Sequence, residues 1–413
     1  MRYLFFALLL GDLALAQTND RRRYTSEVFS QEQSIRSQVD KAYWKSRVFF
    51  ATPILGLRRV GYDSNVFSTE ENEVADFFVS PEVGLETYYR PNPHFVWANS
   101  VDYSYLYYRD LDQLRGSEYR GESRLHGLFK HVYLDAGAVL DRHEDRVNSE
   151  LDQRGFNESL AIDVNTVFQP VPRAHVKLGA VYRKHEFDQD GSVLDAGFGA
   201  LEREDNELAL TLLYKLKNQW WPFVEVERKT YDFTRENNPR DDSETTSVFG
   251  GLRNEFGRRT HVNIRAGYIR LKFPKSGNLD ADLFSGRAFV DRGLTRLIRV
   301  ELGGEQTPIF STFDEYDYFI SRRIFMSASY KTRRNLRLGP LLRVGQNDYD
   351  NPRAAAAVDR KDDLWEAGAN LRFIHRRNFE ISLSVSYQNR DSNVPGESDE
   401  SYLITATMKP NFD

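Results

Sequence analysis

Apolar and polar residues alternate from about residue 47 to the end of the chain, in segments each long enough for one strand. Phe379, Ile381, Leu383, Val385 and Tyr387 fall on one face of such a segment, and Glu380, Ser382, Ser384, Ser386, Gln388 and Arg390 on the other. The same split sets Val132, Leu134, Ala136, Ala138 and Leu140 against Tyr133, Asp135 and Gly137, and Leu208, Leu210, Leu212, Tyr214 and Leu216 against Glu207, Thr211 and Lys215. Around Phe95 the apolar face turns aromatic, with Phe95, Trp97, Val101, Tyr103, Tyr105 and Tyr107 opposite Ala98, Ser100, Asp102 and Ser104. Successive strand side chains point to opposite faces, so each segment has one oily and one wet side. Aromatic residues at both ends of an oily side predict interfacial belts.

Two kinds of connection separate the segments. The tight ones are Arg90 to Pro93, Lys130-His131, Gln169 to Arg173, Lys217 to Gln219, Gly257 to Thr260, Arg292 to Arg296, Lys331 to Asn335 and His375 to Asn378; longer ones such as Asp141 to Arg154, Asp188 to Asp205, Asp232 to Glu244, Asn347 to Asp363 and Asp391 to Glu400 lie between them. Short periplasmic turns alternating with long outer loops are the polarity of a transmembrane up-and-down antiparallel β-barrel, an all-β fold. The segments number about 18, or 16 if the first pair is misread, with both chain ends in the periplasm. The stretch from Asp314 to Lys331 alternates poorly, which predicts a bulge or a change of phase.

Backbone N–H and C=O groups facing hydrocarbon find no water, so an open sheet edge across a bilayer is untenable and the strands must close. A ring of about 16 to 18 strands encloses an aqueous channel. Composition agrees. A mean hydropathy of -0.59 excludes a helical membrane bundle, while 13% aromatic residues suits a sheet with one face in lipid. The net charge of -5 argues against a nucleic-acid binder, and the absence of cysteine removes disulfides and thiolate chemistry.

At the N-terminus, Arg2, the apolar run Tyr3 to Leu10 and the Ala14-Leu15-Ala16 site read as a secretory signal over residues 1–16. Residues 17–46 do not alternate; Val28, Ile35, Val39 and Tyr43 recur at helical spacing, which fits a short amphipathic periplasmic helix, a plug or docking peptide, or a disordered lead-in. The barrel is expected over 47–413 as the one remaining domain. Tyr402, Ile404, Ala406 and Met408 make a last oily face before Phe412, similar to the C-terminal signal read by the barrel assembly machinery, with Asp413 as a departure. The address is therefore the outer membrane of a Gram-negative cell.

On the expected inner faces lie Asp102, Glu118, Glu122, Arg124, Asp135, Arg183, Glu207, Glu225, Glu227, Arg253, Glu255, Arg265, Arg299, Glu301, Arg337, Arg343, Arg372, Glu380 and Arg390. One reading is a mutually paired wall that keeps a pore hydrated. The sharper reading is a cationic ladder of Arg265, Arg299, Arg337, Arg343, Arg372 and Arg390, whose guanidinium forks suit carboxylates and phosphates of an anionic polymer. The outer loops are acidic, at Glu70, Glu71, Glu73 and Asp76, at Asp188, Asp190 and Asp195, at Asp241, Asp242 and Glu244, and at Glu397, Asp399 and Glu400. Such loops are solvated or bridged by divalent cations to lipopolysaccharide, and none has the spacing of an EF-hand. The basic turns Arg258-Arg259, Arg333-Arg334 and Arg376-Arg377 suit anionic headgroups or an acidic partner. No nucleophile elbow, zinc-binding H-E-x-x-H pair or Walker loop is present, and His126, His131, His143, His175 and His185 are scattered, so no enzyme, metal site or cofactor is expected.

The segment Gly61-Tyr62-Asp63-Ser64-Asn65-Val66-Phe67 closes an early strand and opens an acidic loop. It resembles the G-Y-D-x-N-V-F opening of the putative β-barrel porin type 2 family, outer-membrane barrels often associated with exopolysaccharide or capsule gene clusters. The resemblance implies a barrel component of a polysaccharide secretion apparatus, working with periplasmic export components. The strand number and the arginine-rich inner face are also similar to those of the alginate-export barrel. Asp63 and Asn65 suit a turn cap, and Val66 and Phe67 suit packing in the barrel mouth. A diffusion porin for small solutes and an adhesion barrel with cation-binding loops are the competing functions.

Overall fold

The computed structural model describes residues 27–145, 155–187, 202–216, 219–234, 242–256, 259–274, 280–311, 316, 318–333, 335–349, 359–375 and 379–410. The expected signal segment and Phe412 lie outside these residues, as do most of the loops after Asp145, Phe187, Phe233 and Tyr349.

The chain opens with helix α1 (Glu27–Lys41) and the two-residue β1 (Trp44–Lys45). There follow β2 (Phe49–Asp63), β3 (Asp76–Asn92), β4 (Phe95–Tyr108), β5 (Gly116–Leu128), β6 (Val132–Asp145), β7 (Gly155–Val171), β8 (Ala174–Phe187), β9 (Arg203–Tyr214) and β10 (Trp220–Phe233). The second half comprises β11 (Ser243–Phe256), β12 (Thr260–Lys272), β13 (Ala281–Gly293), β14 (Ile298–Phe310), β15 (Tyr318–Arg333), β16 (Leu336–Tyr349), β17 (Arg360–His375), β18 (Phe379–Ser392) and β19 (Asp399–Pro410). Every strand from β2 onward pairs antiparallel with its sequence neighbours, and β19 returns to β2, so the sheet has no free edge. With β1 set aside as an extension of the β2 ladder, eighteen strands form the ring.

Closure is made at a constrained seam. Leu403 pairs with Asp63, Thr405 with Gly61 and Met408 with Leu57, across an irregular register in both strands. A Cβ on Gly61 would meet the Ile404 carbonyl and the Phe78 ring, so the close approach of β19 and β2 requires glycine there.

The two faces separate as the alternation predicts. On β4, Trp97, Val101, Tyr103, Tyr105 and Tyr107 are exposed, whereas Val96, Asp102, Ser104, Leu106 and Tyr108 are buried. Phe49, Tyr89, Trp97, Phe168, Tyr214 and Tyr330 form an outer aromatic belt near the periplasmic strand ends, and Phe77, Tyr107, Tyr268, Phe284, Trp365 and Tyr402 form another near the opposite ends. No helix among the described residues is long and apolar enough to cross a membrane; the strands do so.

The poorly alternating stretch has a specific cause. In β15 the register places Phe319 and Phe325 on the inner face and Arg322 on the outer one, and it shifts between Lys331 and Arg333. Phe325 packs over the position of Gly303 on β14, where a side chain would collide with its ring. Arg322 is held by Asp348 at 3.1 Å.

Helix α1 does not stand apart from the ring. Ile35, Val39 and Ala42 are buried in one cluster with Phe50, Tyr88, Val96, Leu128, Tyr133 and Val167, contributed by β2 through β7. Tyr43, grouped with the helical positions by spacing, is exposed because the helix ends at Lys41 and the chain turns into β1.

Candidate functional site in the barrel lumen

Inward-facing charge is unevenly divided around the ring. One sector, β3 to β7, carries Glu82, Glu86, Asp102, Glu118, Glu122, Asp135, Asp141 and Asp163. Its organiser is Arg124, which donates to both Asp163 oxygens at 2.8 Å and to Glu122 at 3.0 Å, and also contacts Asp135. His126 and the Tyr133 hydroxyl complete the Asp135 environment at 2.9 and 3.0 Å. Nearer the outer mouth Arg59 bridges Glu118 at 2.5 Å and Glu144 at 3.1 Å, and Ser80 and Ser104 donate to Glu118. Burying carboxylates such as Asp102, Glu118, Asp135 and Asp163 is tolerable because each has an arginine beside it.

The facing sector, β12 to β17, holds five of the six arginines singled out from the sequence. Arg265 reaches back to Glu225 at 2.7 Å and Glu227 at 2.8 Å on β10. Arg299 pairs with Asp291, Arg343 with Glu366 at 2.9 Å, and Arg372 with Glu380 at 2.5 Å. Arg343 and Arg372 are thus cross-strand or diagonal partners of acids on the adjoining strands, which the alternation alone did not identify. Arg390, on β18, is only 1% exposed and locked to Asp399 at 2.8 Å, so it serves the outer rim and is withdrawn from any solute.

Arg337 has a different setting. The register aligns it with Lys331 on one side and Arg372 on the other, so three cations lie side by side across β15, β16 and β17 near the periplasmic ends. Like charges placed opposite one another weaken a sheet. Arg337 thus stands between two other cations, one of which, Arg372, is also held by Glu380.

Inward-facing phenylalanines escaped the sequence reading. The guanidinium carbon of Arg253 lies 5.0 Å from the Phe223 ring centroid, that of Arg265 3.7 Å from Phe249, and that of Arg287 5.5 Å from Phe289. Gly251 and Gly267 leave the space that the Phe223 and Phe249 rings fill. An aromatic in phase with charged positions, beside a glycine on the next strand, is the signal that identifies them.

The Gly61 to Phe67 motif lies at the outer mouth. Asp63 accepts the Asn65 N–H at 3.1 Å. The fully buried Asn65 side chain donates to the carbonyls of Thr69 and Glu400, at 2.8 and 3.0 Å, and accepts the Thr69 N–H at 3.1 Å. This tethers the loop after β2 to β19 and turns Val66 inward among Phe78, Leu106, Tyr108, Leu111 and Leu114, with Phe67 packed beside them. Tyr62 remains on the outer face against Phe77, with ring centroids 4.8 Å apart.

A closed ring, a wet charged interior and this motif meet in one family, and residues 49–412 match its description, putative beta-barrel porin 2. The chain belongs to the putative beta-barrel porin 2 family. It is an outer-membrane barrel of porin type. No curated protein matches it. Among solved structures this porin-family chain is similar to OpdK of Pseudomonas aeruginosa, with a TM-score of 0.52 and 12% identity over 87% of this chain and 98% of that one. It is also similar to OccD3 (OpdP) of the same organism, with a TM-score of 0.51 and 11% identity over 87% and 91% of the two chains. The FrpB iron transporter of Neisseria meningitidis gives a TM-score of 0.51 and 8% identity over 83% and 64%. At these identities the likeness is one of fold. Among the described residues no group of His, Asp and Glu is arranged to hold a metal ion.

Proposed function

We propose that this barrel is the outer-membrane conduit of an export apparatus for an anionic exopolysaccharide. The observation that carries the reading is the row of Lys331, Arg337 and Arg372, aligned across three strands at the periplasmic end where an exported polymer enters. Arginine forks bind carboxylate and phosphate groups bidentately. Arg372 is also tied to Glu380 and, beyond the entry, Arg343, Arg265 and Arg299 are each held by an acid, so no single site grips a passing anion strongly. Conduction needs sites that admit the solute and also release it. The barrel supplies the path, and periplasmic and inner-membrane components supply polymer and energy.

The test is secretion of polymer by cells carrying Arg337→Gln, Arg372→Gln and Lys331→Gln together. Secretion falls severalfold while the amount of heat-modifiable barrel stays constant. Unchanged secretion removes the cationic entry from the account.

The second reading, a diffusion porin for small solutes, is favoured by the pairing of the inner arginines, which leaves a hydrated wall of mixed charge. Planar-bilayer recordings without partners separate the two, since a diffusion porin is open alone and a gated export conduit is mostly closed.

A further inference from the structure

A water-facing barrel wall has no need of a large apolar patch. Yet Phe50, Tyr88, Val96, Leu128, Tyr133 and Val167 all occupy inward-facing register positions near the periplasmic ends of six consecutive strands, where they form one cluster. Lipid cannot reach them. What covers them is α1, through Ile35 and Val39, together with Ala42 just past its end, and Val39 and Val96 are both fully buried.

Polar ties hold the same seat. The Arg36 guanidinium donates to the carbonyl of Pro93 in the turn between β3 and β4, at 3.0 Å. Beyond the helix, the Lys45 ammonium caps the Asp40 carbonyl and β1 zips onto β2 through Trp44 and Ala51. The chain therefore enters the ring from its periplasmic rim with the helix already laid against one wall.

We infer that α1 is a built-in plug that narrows the periplasmic mouth, seated on an apolar patch made for it inside the lumen. The seat spans β2 to β7, and in the ring of eighteen strands β15 and β16 lie across from β6 and β7 at one end of it. Where the helix covers β6 and β7, the row of Lys331, Arg337 and Arg372 stands on or beside the facing strands, so the plug narrows the mouth on the side opposite these cations. Apolar burial of only a few side chains holds the helix, which makes the seat stable at rest and displaceable by a periplasmic partner. The inference rests on the reading of the barrel as a channel but not on the identity of the solute.

The experiment records single-channel conductance in planar bilayers for the full chain, for deletion of residues 27–41, and for the Ile35→Asp, Val39→Asp double variant, which keeps the chain length. A helix about 10 Å across fills a large share of such a mouth, so both variants conduct about 1.5 to 2 times more than the parent. Equal conductance of all three, with heat-modifiable mobility retained, overturns the plug. A closed parent is what a gated conduit gives, but no conductance from the helix deletion either, whose mouth is cleared, overturns the channel. Because the chain has no cysteine, Val39→Cys alone provides an independent measurement in the intact barrel. Its thiol resists a water-soluble maleimide while the helix is seated, and rapid labelling in the folded barrel contradicts the seat even if a deletion variant fails to assemble.

Discussion

Arg265 lies over Phe249, its guanidinium carbon 3.7 Å from the ring centroid, while the same group holds Glu225 and Glu227 of the next strand but one. The ring covers one face of the cation and the two acids take its edge, so one arginine neutralises a pair of carboxylates that would otherwise repel. Arg265→Gln leaves Glu227 with the Lys229 ammonium at 3.7 Å and Glu225 with the Thr211 hydroxyl at 3.0 Å. The pore then becomes more cation-selective, read as a shifted zero-current potential under a salt gradient. Adding Glu225→Gln alone returns the site to its parent charge and restores the parent value. An unshifted potential would place the trio outside the ion path.

The motif loop makes a second, independent prediction. Asn65→Ala removes two donated bonds and one accepted bond at a fully buried position. Leaving such groups unsatisfied costs about 1–3 kcal/mol. The temperature at which the folded band gives way to the unfolded one on a heat-modifiability gel falls by several degrees, without loss of assembly at low temperature. A transition at the parent temperature would show that the loop is not anchored through Asn65.

At the seam the demand is steric. Gly61→Val places a branched side chain against the Ile404 carbonyl and the Phe78 ring, where backbone is the obstacle and cannot retreat cheaply. The ring fails to close between β19 and β2, and the heat-modifiable species is lost or sharply reduced in outer-membrane fractions. Gly121→Val, at a glycine with open space around it, assembles normally. Equal yields of the two would contradict the seam.

Much of this architecture is legible in the chain because lipid and water impose a period of two on every strand. That period assigns Leu383 and Val385 outward and Ser384 inward without any knowledge of register. The limits are equally physical. Pairing depends on which strand residue lies opposite which, so Arg343 with Glu366 and Arg372 with Glu380 emerge only from the register. Arg390 obeys the alternation yet is buried, because the connection to β19 brings Asp399 over it. Phe223 and Phe249 break the apolar-outward rule, since an arginine and a facing glycine give an inward ring both a partner and a space. The helical spacing of Ile35 and Val39 marks an apolar stripe but not what it covers. That is set by six residues drawn from six strands.

The most direct test of a closed sheet with lipid outside and water within is single-cysteine scanning along β18 in intact outer membranes, using a membrane-impermeant thiol reagent of small size. The account predicts labelling at Ser382, Ser384 and Ser386 and protection at Ile381, Leu383 and Val385. Uniform labelling, or the opposite phase, would contradict it.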